Sequence, residues 1–153
     1  MLAKHVTDRD LGLKAFIRQL EIARVVEVTV GIHADKFSKG ESIAYYGAVN
    51  EFGTDDGHIH ERPFMRSSFD ENISAINEDL ALQYHLVMMG QSTVKRGLSI
   101  VGIKHVSRVK AKITSNIQPA NAPSTIKRKK SSRTLIDTGA MLNSVHYVVG
   151  GKK

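Results

Sequence analysis

The sequence predicts an α+β fold: two long helices packed on a small, mainly antiparallel sheet, with extended loops between the elements. Three observations carry this. Residues 25–33, VVEVTVGIH, alternate with period two, placing Val26, Val28, Val30 and Ile32 on one face. Pro63–Gly90 and Ser92–Ile117 instead repeat apolar residues every three or four positions, the spacing of a buried helix face. Val145–Val149 alternates again at the far end of the chain, supplying a distant strand for the first one to pair with.

Length and composition set the frame. The chain has 153 residues, one domain by length, enough to bury about two-thirds of its unfolded surface. Its hydrophobic fraction of 41% argues against wholesale disorder. With aromatics at 6% and no tryptophan, the core must be filled by Ile, Val, Leu and Met. Absence of cysteine excludes disulfides, thiolate metal sites and cysteine nucleophiles. The start, MLAKHVTDRD, lacks an apolar run of signal-peptide length, and no window reaches membrane-spanning length, so no membrane association is expected. The net charge of +7 collects in Lys95–Lys153. That asymmetry suits an acidic partner, nucleic acid or protein, and equally suits a solvated helix face with a basic loop and tail.

In chain order, Asp8–Arg24 reads as an amphipathic helix with Leu11, Ala15 and Leu20 on one face, broadened by Leu13, Phe16 and Ile17, and with Thr7 or Asp8 as cap. After the first strand, residues 34–41 form a flexible loop or hairpin excursion. Ser42–Phe52 is helical and stops at Gly53, where glycine relieves left-handed strain. Glu51 sits at the unfavourable end of that helix's dipole and is expected to hydrogen-bond the next turn. Residues 54–62 form a polar, mobile loop with a turn at Asp55-Asp56-Gly57. Pro63 opens the long helix, with a core stripe of Phe69, Ile73, Ile76, Leu80, Tyr84 and Val87 and with Asp70, Glu71, Glu78 and Asp79 facing elsewhere. Gly90 breaks or bends it.

The next helix carries Leu98, Val101, His105, Val109, Ile113 and Ile117, surrounded by Lys95, Arg96, Lys104, Arg108, Lys110 and Lys112. His105 reads as a partner-bonded histidine at the core margin. Gly97 and Gly102 each cost about 1 kcal/mol against alanine there, a cost expected where another backbone comes close. Residues 118–133 are a flexible loop in which Pro119 and Pro123 forbid a continuous helix and Ser124 or Thr125 caps a short turn. Lys127, Arg128, Lys129 and Lys130 form a compact basic run. A third strand is expected around Arg133–Ile136, followed by a cap at Asp137 or Thr138, a short helix over Ala140–Asn143, the last strand and a flexible tail over residues 150–153.

Motifs for catalysis are missing. No nucleophile elbow, phosphate loop, zincin or dinucleotide fingerprint occurs, and the adjacent acids Asp55 and Asp56 belong to a turn. His58 and His60 are the only metal candidates, but alternate loop spacing matches no ligand signature. The expectation is therefore no enzyme, no metal and no cofactor.

Four segments together carry a family likeness: the turn Glu51, Phe52, Gly53, Thr54; the helix opening Arg62-Pro63-Phe64; the stretch PSTIKRKK from Pro123; and LIDTGAMLNS, with Asp137, Thr138 and Gly139 at its turn. In this order and spacing, over residues 26–149, the chain resembles the tail-completion (neck) proteins of long-tailed bacteriophages. It departs from that pattern in the insertion DDGHIHE and in Lys130, where glycine is expected. The resemblance implies a structural virion protein, assembled in the host cytoplasm, that joins head to tail. It implies contacts to a head connector or adaptor and to tail terminator or tube proteins. It also implies a homo-oligomeric ring, hexamer or dodecamer, built through two complementary surfaces per copy. The basic run Lys127–Lys130 would meet an acidic neighbour or exiting DNA. The alternative function is sequence-independent nucleic-acid binding by the basic C-terminal half, which lacks interleaved aromatics for base stacking.

Overall fold

The computed structural model describes residues 10–33, 37–38 and 40–151. It is a mixed helix and strand fold of the α+β kind. The elements run α1 (Leu13–Val25), β1 (Val26–Ile32), β2 (Phe37–Ser38), β3 (Glu41–Ser42), α2 (Ile43–Phe52), α3 (Phe64–Met88), α4 (Val94–Thr114), α5 (Pro123–Lys129), α6 (Ala140–Ser144) and β4 (Val145–Gly151).

The two distant period-two segments pair as expected. β1 and β4 are antiparallel, in a continuous register from Val26 opposite Gly151 to Ile32 opposite Val145. Gly150 and Gly151 thus belong to the strand instead of a tail. The third strand expected at Arg133–Ile136 does not form. Leu135 is buried in the core, and the backbone amide of Thr134 bonds the Asn116 side chain at 3.0 Å instead of a sheet partner. β2 and β3 make a separate small hairpin within the excursion after β1; residues 34–36 and 39 of that expected loop lie outside the described residues.

α4 covers the β1–β4 ribbon, and α3 packs on α4, meeting the sheet mainly through its first turn, where Met65 approaches Gly31. The core gathers Phe64, Val109, Ile113, Leu135 and Val145, joined by half-buried Val30 and Ile32. Both α4 glycines sit at close approaches. A β-carbon on Gly97 would lie 3.0 Å from Cβ of Gln83, and one on Gly102 would lie 2.8 Å from Cγ of Tyr147. What comes close is side chain, where backbone was expected. The tight fit offsets the helix propensity that glycine forfeits.

α3 turns a different face inward than its apolar pattern predicts. Buried on it are Phe64, Ser68, Ile76, Asp79 and Gln83, whereas Phe69, Ile73, Leu80 and Tyr84 are exposed by 47%, 43%, 39% and 63%. The reason lies on α4, which presents Gly97, Lys104 and Arg108 to this side. Lys104 donates to one oxygen of Asp79 and Arg108 to the other, the latter at 2.6 Å. Asp79, expected to face away, is the polar centre of the α3–α4 contact, and Lys104 ahead of Arg108 holds its carboxyl below the usual carboxylate range. His105 lies at the margin edge-on to Phe69, 6.2 Å between ring centres. Its Nδ1 is buried without a hydrogen-bond partner, contrary to the bonded histidine expected.

α1 buries no residue fully; Leu11, Leu13, Ile17 and Leu20 of the expected core face are exposed. It starts after Gly12 in the left-handed region, and the expected cap at Thr7 or Asp8 lies outside the described residues. Its Gln19 side chain accepts from the amide of Val94 at 2.9 Å, and Thr93 Oγ1 accepts from Arg96, so both oxygens satisfy free amides of the first turn of α4. Gly90, with φ +67°, ends α3 outright.

Candidate functional site

The Glu51–Thr54 turn is the hub around which the loops are arranged. α2 opens on Ser42, whose hydroxyl accepts from Tyr45, and stops at Gly53 (φ 74°), whose amide still bonds Val49. A β-carbon on Gly53 would lie 2.9 Å from the carbonyl oxygen of Ile59, so sterics and backbone sign both demand glycine. Glu51 is buried and does not bond its own next turn. Its two carboxylate oxygens accept from the amides of Met65 and Arg66 at 2.8 and 2.9 Å. A carboxylate at the end of α2 therefore caps the start of α3, the favourable end of that helix's dipole. Pro63 leaves α3 without a side-chain cap of its own. Phe52, beside it, is 70% exposed.

The DDGHIHE insertion is tied back on itself. Thr54 Oγ1 donates to Asp56 at 2.6 Å and accepts from the Ile59 amide, while Asp56 also accepts from the His58 amide. The Thr54 hydroxyl, then the His58 amide, hold the Asp56 carboxyl below its ordinary range. Arg62 follows, buried, with its amide on the Asn50 carbonyl at 2.7 Å and Nε donating to the Pro119 carbonyl at 2.9 Å. This bond fastens the 118–122 segment, which includes the cis peptide Gln118–Pro119, to the turn region.

Within residues 118–133, expected as one loop, α5 forms with Ala122 at its cap position and Pro123 at its first turn. Proline's fixed φ starts the helix, and neither Ser124 nor Thr125 caps it. The basic run is divided. Lys127 and Arg128 are exposed on α5, and Lys130 ends it in the left-handed region (φ 53°), the conformation glycine adopts most easily. Lys129 turns inward, donating to the carbonyls of Arg133 and Thr134 at 3.1 and 3.2 Å. Burial pulls its ammonium below the ordinary lysine range; Asp137 opposes the shift, and Arg62 and Arg128 add to it. At the LIDTG turn, Gly139 (φ 79°) occupies the cap position of α6, displacing the expected Asp137 or Thr138. The Thr138 hydroxyl still accepts from the Ala140 amide at 3.3 Å.

Together these segments enclose a cleft of about 680 Å³. Its walls include Asn50, His58, His60, Arg62, Arg128, Lys129, Asp137, Thr138 and Gly139. Lys127 and Lys130 stand outside it. Three cations face one carboxylate, Asp137, among the lining residues. The Thr134 hydroxyl is buried in the wall without a hydrogen-bond partner. His58 and His60 both reach the cleft, yet among the described residues no three His, Asp or Glu side chains gather as a metal site. No hydroxyl among the described residues hydrogen-bonds the imidazole of His58 or His60. The chemistry this arrangement offers is attraction for an anionic group, strengthened by partial burial.

Sequence reasoning singled out His58, His60, Arg128, Lys129, Asp137, Thr138 and Gly139 of this cleft as motif or charge, but missed Arg62 as a strut and the cleft as such. The sequence held a partial signal for the role of Glu51: Pro63 brings no side-chain acceptor to the free amides of the helix it opens, so an acceptor must come from another segment, although nothing local singles out Glu51 over the nearer Asp55, Asp56 and Glu61. Comparison with protein-family models, curated proteins and solved structures finds no match to this chain.

Proposed function

We propose that the chain is a structural subunit of a phage head–tail junction, a tail-completion or neck protein acting by protein–protein contact. One observation supports it above others. Three of the four segments that carry the resemblance supply walls of a single cleft, through Arg62, through Thr125, Arg128 and Lys129, and through Leu135 and Asp137–Met141; the fourth, Glu51–Thr54, follows the lining residue Asn50 and is tied by Glu51 to the start of α3. In this reading the motif residues set the geometry, and Arg62, Arg128 and Lys129 receive an acidic segment of a neighbouring virion protein. In the same reading the two long helices packed on a small sheet form the scaffold that carries the cleft. The exposed apolar residues Phe69, Ile73, Leu80 and Tyr84 on α3, and Leu13 and Ile17 on α1, suit burial against further subunits of a ring.

The test is genetic. Loss of the gene should leave filled heads and finished tails unjoined, restored by the gene in trans. Normal, infectious particles without it would remove the reading.

The nucleic-acid reading rests on the same charge, but the fold spends much of it internally. Lys104 and Arg108 are paired with Asp79, and Lys112 with Glu71. Fewer cations remain to displace counterions than the net charge suggests. Anisotropy titrations at two salt concentrations decide: tight binding that collapses with salt favours nucleic acid, and its absence favours the junction.

A further inference from the structure

Among the described residues the sheet holds two strands, and no further strand pairs with either outer edge. In an antiparallel pair, half of each strand's amides and carbonyls point away from the partner strand. The Val26 amide bonds back to Ile22 in α1. Apart from that, no backbone group of residues 26–32 or 145–151 bonds another segment among the described residues. Neither strand is defended as free edges usually are. VEVTVGI and VHYVVGG contain no proline, no lysine and no bulge; Glu27 is the one charged side chain in both. α4 covers one face of the ribbon, and the unpaired backbone groups that would accept a further strand lie along the two edges. The two edges also match each other: each is seven residues long, and they lie on opposite sides of one ribbon.

We infer that copies of this chain join edge to edge, the outer edge of β4 on one copy pairing antiparallel with the outer edge of β1 on the next. The occupant is a second copy because this pairing repeats without change. Every strand stays antiparallel to both neighbours, all β1 strands point the same way, and each copy offers one edge and accepts the other. That is a head-to-tail interface, which closes into a ring when the rotation permits. On the face away from α4, the exposed Thr29 and Val148 stand opposite each other within a copy and become neighbours of Val148 and Thr29 in adjoining copies. The inference deepens the ring reading proposed above and names the surface that closes it.

The chain has no native cysteine, so engineered thiols report alone. Thr29→Cys and Val148→Cys proteins are purified separately, then oxidised singly and mixed with copper–phenanthroline, which joins thiols on adjacent strands by a disulfide but not thiols two strands, about 10 Å, apart. The expected result is a covalent dimer at least ten-fold more abundant in the mixture than in either protein alone. In parallel, light scattering of the Val148→Lys variant should show monomers where the unmodified chain associates, with unchanged circular dichroism. Dimers formed equally well by one variant alone would indicate like edges meeting and overturn the head-to-tail pairing. An oligomer without the mixed cross-link would sink the edge pairing and leave the ring reading standing. A chain that stays monomeric at every concentration, with no cross-link, would overturn the inference.

Discussion

Replacing Glu51 tests the hub of the molecule. Its carboxylate is 6% exposed and accepts two main-chain hydrogen bonds, at 2.8 and 2.9 Å, from the first turn of the 25-residue helix α3. In Glu51→Ala, the amides of Met65 and Arg66 lose their acceptor. A hydrogen bond to a charged group contributes about 1.5–3 kcal/mol, and loss of a helix cap about 1 kcal/mol. The two bonds and the cap describe the same contacts, so they do not add fully; about 3 kcal/mol is the expected cost. Glu51→Gln keeps one acceptor but turns an amide donor towards the second N–H, and should lose roughly half as much. Urea unfolding followed by circular dichroism measures this. With a slope of about 2 kcal/mol per molar, the midpoint of Glu51→Ala should fall by about 1.5 M without a change in slope. A midpoint within about 0.25 M of the unmodified chain would refute the claim that Glu51 holds α2 to α3.

Other perturbations probe the helix packing. Gly102→Ala should destabilise by about 1–3 kcal/mol, despite alanine's better helix propensity, because its methyl enters the Tyr147 ring; thermal melting should show the lower midpoint. Asp79 has a lowered carboxyl pKa, so its stabilisation is complete above the unfolded value and is lost as pH falls through the lower folded one. Stability measured below about pH 4 should fall less steeply in Asp79→Asn than in the unmodified chain. His105 is pulled below its ordinary pKa by burial first and by Arg108 second, so the unfolded chain binds its proton more readily. Stability should decline as pH drops below about 6.5, and His105→Phe should flatten that decline in pH-dependent urea melts.

The fold was legible where the pattern and the packing obey the same rule. Val26–Ile32 and Val145–Val149 alternate because α4 covers one face of their ribbon, and α4's own stripe of Val101, Val109 and Ile113 is buried as spaced. α3 was misread because hydrophobicity alone does not reveal which face meets the neighbour. Asp79 is drawn inward by two cations on α4, and Gly97 lets Gln83 approach, so the apolar row Phe69, Ile73, Leu80 and Tyr84 is left facing out. The cleft was illegible for a different reason. Its walls come from residues 43–62 and 119–141, and the bond from Arg62 to Pro119 that joins them spans 57 positions. Local signals foresaw Gly53, Gly139 and the basic run, but not that Lys129 would turn inward to hold two carbonyls.

The most direct test of the account is joining in vitro. Heads and tails are isolated from a strain lacking the gene and mixed with purified protein, and infectious particles are counted. The unmodified chain should restore infectivity. Arg128→Glu, which reverses the exposed cation of the cleft without touching Glu51, Arg62 or Lys129, should restore less than about a tenth of it while keeping the same melting temperature. Full restoration by Arg128→Glu, or no restoration by the unmodified chain, would contradict the claim that this cleft docks an acidic neighbour at the junction.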